Sequence, residues 1–124
     1  MNYNKLVRDK IPEIIRQQGE NPIFRILDQE EYFRCLEQKL DEEVGEYHRD
    51  KNAEELADIL EVVFTLADSI GCSRENLMEI CQRKHEARGG FRDRIFLISK
   101  QRWLTPVDIG PIIWKDKFKG ANAK

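Results

Sequence analysis

Residues 39–61 read "KLDEEVGEYHRDKNAEELADILE", a stretch in which nine of 23 side chains are acidic while Leu, Val and Ile recur at the intervals of a buried helix. Like charges held this close repel. The spacing offers a reason for keeping them. Glu43 and Glu46 lie three apart before the "RDKN" connection, and Glu55 and Asp58 lie three apart after it, so each pair shares one helix face. The pairs are mirror images about the turn. An antiparallel hairpin therefore sets Glu46 opposite Glu55 and Glu43 opposite Asp58, and four carboxylates meet in one gap. Helix axes about 8–10 Å apart leave room for a hard cation held through oxygens at about 2.1 Å, as Mg²⁺ prefers. Two plainer readings stand beside this one: Glu55 as a helix cap only, and an acidic face that is simply solvated.

Working outward, Asp28 and Glu31 stand at capping-box spacing before a helix expected from about Gln29 to His48, with Tyr32, Leu36, Leu40 and Tyr47 on its buried side. Asn52, with Glu55 at the third position, caps the next helix, and Gly71 stops it. That helix is apolar nearly all round, through Leu56, Ile59, Leu60, Val62, Val63, Phe64, Leu66, Ala67 and Ile70. One neighbour cannot cover such a surface, and a chain this short offers about four helices, so a partner subunit in two-fold pairing is expected. Ser73 caps a further helix to about Arg88, ended by Gly89 and Gly90.

Toward the start, "RDKIPEIIRQQG" predicts a short helix over residues 10–18, with Asp9 as cap, Pro12 in the first turn and Gly19 as stop. "NPIFRILD" reads as extended. "FRDRIFLIS" reads as a short strand or a helical turn, and residues 101–124 as an irregular arm of the same domain. The expected fold class is all-α.

The 124 residues amount to 14.7 kDa and one domain, 40% hydrophobic and 35% charged. A net charge of −2 gives no global field to recruit a nucleic-acid polymer. No apolar run approaches the roughly 20 residues that span a bilayer. Cys35, Cys72 and Cys81 are odd in number and form no CxxC, which fits reduced thiols, buried or half-buried, in a cytoplasmic protein. His48 and His85 lack metal-type spacing, and there is no GxxxxGK[ST] loop. Trp103 and Trp114 read as packing residues.

"EEVGE" at 42–46 followed by "ELAD" at 55–58 resembles the EExxE and ExxD pair of the MazG-like all-α nucleoside triphosphate pyrophosphohydrolases, relatives of dimeric dUTPases and phosphoribosyl-ATP pyrophosphohydrolases. "KLVRDKIPEII" near the start and "RGGFRDRI" later resemble the house-cleaning branch that acts on noncanonical nucleotides. Together these matches span roughly residues 4–98. The resemblance implies a MazG-like helical bundle over residues 1–100, paired as a homodimer or a dimer of dimers with active sites near the subunit joints. It implies Mg²⁺, with Mn²⁺ as a substitute, and hydrolysis of a nucleoside triphosphate to nucleoside monophosphate and pyrophosphate.

By analogy Glu43, Glu46, Glu55 and Asp58 ligate the metal, and Glu42 orients or deprotonates the attacking water. Glu61, one turn further along, stands outside the motif. A triphosphate also needs cations. Lys5, Arg8 and Lys10 at the start and Lys84, Arg88, Arg92 and Arg94 near the double glycine are the supply, with Lys5, Arg8 and Arg88 foremost; Asp9 is an alternative partner for Arg8. Two other readings remain: a non-catalytic nucleotide-binding or regulatory helical module, and a structural helical protein with a solvated acidic face.

Overall fold

A computed structural model describes residues 4–102, and over them the protein is helical with no strand. The described residues fall into two compact units divided between Leu77 and Met78. The arm beyond residue 102, with Trp103 and Trp114, lies outside the described residues.

In the first unit, α1 (Ile11–Gln17) is short, with Pro12 in its opening turn and Gly19 just past its end at φ +86°. Its cap differs from expectation. Lys10, not Asp9, occupies the N-cap and makes no side-chain hydrogen bond there. Pro12 lacks an N–H, and the Ile11 N–H is taken by the Arg8 carbonyl at 3.0 Å, so little is left for a side chain to cap. Residues 20–28 are irregular.

The second helix, α2 (Gln29–Asp50), begins with the full capping box: Asp28 accepts the Glu31 N–H at 2.9 Å, and the Glu31 carboxylate accepts the Asp28 N–H. Arg25 grips Glu31 through both guanidinium ends, at 3.1 and 3.0 Å, which holds that carboxyl below its usual range. The helix runs two residues beyond the expected His48. Its stop is Lys51, which adopts the left-handed conformation (φ 49°, ψ 48°) and donates its N–H to the Tyr47 carbonyl at 2.7 Å.

Only Lys51 and Asn52 separate α2 from α3 (Ala53–Ser69), so the chain folds straight back and the two helices pack together. Asn52 accepts the Glu55 N–H at 3.0 Å as the cap. At the far end Gly71 takes φ +85°, and the Cys72 N–H returns to the Ala67 carbonyl at 2.8 Å. Ser73 then accepts the Asn76 N–H at 3.1 Å and starts α4 (Arg74–Arg88). Arg74 lays its guanidinium over the Phe64 ring, 4.2 Å from the centroid.

The core of this unit is small: Leu36 from α2 with Val62 and Ala67 from α3. Leu40 and Tyr47 are half-buried as expected of the inner face, but Tyr32 is exposed. On α3, Leu56 and Leu60 keep 47% and 51% of their surface open. Val63, Leu66, Ile70, Phe33 and Leu77 line a shallow apolar groove.

In the second unit α4 ends at Gly89, φ +81°. Its Cys81 is exposed, whereas Cys35 and Cys72 in the first unit are half-buried; all three thiols are free. The "FRDRIFLIS" segment forms neither a strand nor a helix. It makes one turn, closed by the Arg94 N–H on the Phe91 carbonyl at 3.2 Å, and then runs irregularly. No described helix is long and apolar enough to cross a membrane.

Candidate metal centre

The two-residue turn brings the carboxylates of α2 and α3 together. Glu42, Glu43 and Glu46 place one oxygen each within 4.8 Å of one another, and so do Glu43, Glu55 and Asp58. The two groups share Glu43. It is the pivot of the cluster and its most buried member, with 6% of its surface exposed. Local sequence explains the position: Glu43 lies on α2 one turn before the half-buried Tyr47 and two turns after the buried Leu36, on the face turned toward α3.

The buried oxygens are incompletely satisfied. Glu43 Oε1 and Glu55 Oε1 are both buried and have no hydrogen-bond partner among the described residues. Burial, reinforced by the charge of Glu46, pushes the Glu43 carboxyl above the ordinary carboxylate range against the opposing pull of Lys39. The Glu55 carboxyl is also raised, first by burial and then by the charges of Glu46, Asp50, Asp58 and Glu43. An unpaired buried carboxylate is costly. A set of oxygens alone, drawn from several carboxylates and with lone pairs free, fits a hard divalent cation better than a soft one.

Protein cations meet the rim of the cluster. Lys39, only 17% exposed, sits 3.4 Å from both Glu42 Oε1 and Glu43 Oε2. Lys5 reaches the other Glu42 oxygen at 3.5 Å. Arg8 Nη2 lies 2.7 Å from Asp58 Oδ1, and Arg49 lies 3.9 Å from Glu46. Arg8 therefore pairs with Asp58 across the chain, not with its neighbour Asp9. Glu42 differs from the other carboxylates in having both oxygens on ammonium groups.

Of the residues singled out from sequence, Glu42, Glu43, Glu46, Glu55, Asp58, Lys5 and Arg8 come together in the first unit. Lys10 is exposed at the start of α1. Lys84, Arg88, Arg92 and Arg94 belong to the second unit, where all four are exposed. Glu61 is exposed and belongs to neither carboxylate group, and both histidines are exposed. Lys39 was not among the candidates. Its signal was in plain view: it lies three residues before Glu42 and four before Glu43, the spacing at which helix side chains meet.

No family model matches the chain, and no solved structure matches it. A protein of Mycolicibacterium smegmatis described as an uncharacterized protein is 55% identical over 42 residues, which make up 34% of this chain and 43% of that protein. The chain thus matches less than half the length of that relative.

Proposed function

We propose that the α2–α3 hairpin holds a divalent cation, Mg²⁺ with Mn²⁺ as substitute, and that the protein is a MazG-like pyrophosphohydrolase acting on a noncanonical nucleoside triphosphate. One observation carries the reading: Glu43, whose Oε1 is buried without a partner among the described residues, belongs to carboxylate groups drawn from both helices. Glu43, Glu46, Glu55 and Asp58 are the ligands assigned. The cation, when bound, supplies neutralisation of charge on phosphate oxygens and makes water a better nucleophile.

The chain's own residues do the rest. Glu42, held by Lys5 and Lys39, orients the water and takes its proton as the water oxygen bonds to phosphorus. The bond bridging the α and β phosphates breaks, and the products are nucleoside monophosphate and pyrophosphate. Lys5, Arg8 and Lys10 are the cations of the first unit assigned to the triphosphate. The free thiols support a cytoplasmic setting. The exposed Leu56 and Leu60 support a homodimer or a dimer of dimers, since apolar surface on a helix face is otherwise left to water.

The test is a panel of nucleoside triphosphates incubated with Mg²⁺, with products identified. Monophosphate and pyrophosphate are expected, and chelation of the metal should stop the reaction. Release of single orthophosphates would assign the protein to another phosphatase class. Tight, metal-dependent binding with no turnover across the panel would favour a nucleotide-binding or regulatory module.

A further inference from the structure

The segment 5–8 makes an ion pair to each helix of the hairpin: Lys5 pairs with Glu42 on α2, and Arg8 pairs with Asp58 on α3. Arg8 makes the shorter of these contacts, 2.7 Å, and it makes it to a carboxylate assigned to the cation. Both sides of the pair are about half exposed, 56% for Arg8 and 41% for Asp58. Such a pair is weak and readily exchanged. A guanidinium and a divalent cation compete for the same oxygen, because each neutralises it and the two positive charges repel when both crowd it.

We propose that Arg8 is an exchangeable internal counter-ion: it occupies Asp58 until a divalent cation takes that carboxylate, and the guanidinium so released binds the phosphate chain that arrives with the metal. This rests on the metal reading given above. Arg8 suits both partners, since its planar fork pairs with carboxylate and phosphate oxygens alike. Its release costs little, because the exposed contact was worth little. The exchange couples the two binding events: the guanidinium is more available to phosphate once Asp58 is engaged by the cation, and by the same factor phosphate on Arg8 favours the cation on Asp58. Lys5 does not share the role, because its partner Glu42 is also held by Lys39.

The coupling gives Arg8→Gln effects of opposite sign in two binding measurements that need no turnover. Titration with Mn²⁺ alone, followed by the paramagnetic resonance of the free ion, should show about threefold to fivefold tighter binding than the wild type, the ceiling set by an exposed ion pair. Titration with inorganic tripolyphosphate in saturating Mg²⁺ should show binding weakened about tenfold or more. Arg8→Lys should fall between. Lys10→Gln removes the same charge two residues away from a side chain with no ion pair among the described residues, and it should leave Mn²⁺ affinity nearly unchanged. Equal tightening in Lys10→Gln and Arg8→Gln would reduce the effect to general field and overturn the exchange. Weaker binding of both probes by Arg8→Gln would also overturn it, while Mn²⁺ binding by the wild type left the metal reading standing. A wild-type protein that binds no Mn²⁺ would remove both.

Discussion

At the turn end of the hairpin a carboxylate, Glu43, keeps 6% of its surface, while Leu60, two residues beyond Asp58 on α3, keeps 51%. The ordinary arrangement is inverted there. Globular chains bury leucine and expose glutamate, and here neighbouring parts of one small helix pair do the reverse. The two regions share a property: among the described residues, each presents a surface left without its natural complement. In the carboxylate gap, Lys39 meets one oxygen of Glu43, while Glu43 Oε1 and Glu55 Oε1 are left without a partner. The open face around Leu56 and Leu60 lacks apolar cover. Each departure marks a surface that the proposed function assigns to something bound, a cation in the first case and a second copy of the chain in the other.

The largest effect should come from breaking the first half of this comparison. Glu46→Gln or Asp58→Asn should lower hydrolysis by about 100-fold or more, as loss of a group in or around a metal site does, while circular dichroism stays helical. Full activity in both variants would end the metal assignment. The second half is broken by Leu60→Asp, which sets a charge where a partner's apolar face is expected. Sedimentation at micromolar concentration should show association weakened on the order of 30-fold, as loss of an anchor contact does. Wild-type protein that sediments at 14.7 kDa and is fully active would refute the pairing.

A smaller change reaches both regions at once. Asn52→Ala removes the acceptor of the Glu55 N–H at the head of α3, and thermal unfolding should show a loss of about 1 kcal/mol. Metal affinity and association should then weaken together; a loss of one alone would mean that the two regions are not set by the same helix start.

The subtlest prediction concerns pH. Burial raises the Glu43 and Glu55 carboxyls in the folded chain, so the folded state binds more protons than the unfolded one between the two sets of values. The stability this contributes is complete below the ordinary carboxylate range and is lost as pH rises through the raised values. The melting temperature of metal-free protein should therefore fall as pH rises from the ordinary carboxylate range toward neutrality. Mg²⁺ should restore it at the upper end, and Glu43→Gln should flatten the slope. A metal-free melting temperature that climbs over this interval in the wild type but not in Glu43→Gln would reverse the assigned sign.

Much of this was legible in the sequence because the signals were local. A cap needs an acceptor and an N–H three residues on, which is why Asp28, Asn52 and Ser73 could be read directly. The hairpin followed from mirror spacing about one short turn, and the same arithmetic brought Glu43, Glu46, Glu55 and Asp58 together. Where reading went astray, the deciding contact was shared by several groups. Asp9 resembles a cap by type, but the helix starts one residue later than that reading needs, with Lys10 at the cap and the Ile11 N–H on the Arg8 carbonyl. Lys39 resembles a solvated partner in a helix pair, and its half-buried place beside Lys5 and Leu6 of the opening segment depends on contacts distant in sequence. After Arg94 the course is irregular: Ile95, Phe96, Leu97 and Ile98 are all exposed, and strand character is worth little without a second strand, of which there is none among the described residues.

The connection of Lys51 and Asn52 also sets how this chain can change length. One residue inserted between Asp50 and Ala53 would lengthen a turn of two residues and change the register of α3 against α2, moving Glu55 and Asp58 relative to Glu43 without altering a single side chain. An insertion of the same size among residues 20–27 leaves the relative phase of α2 and α3 untouched. The protein's tolerance of insertions is therefore uneven: the hairpin turn works as a spacer of set length, and its number of residues matters more than which residues they are.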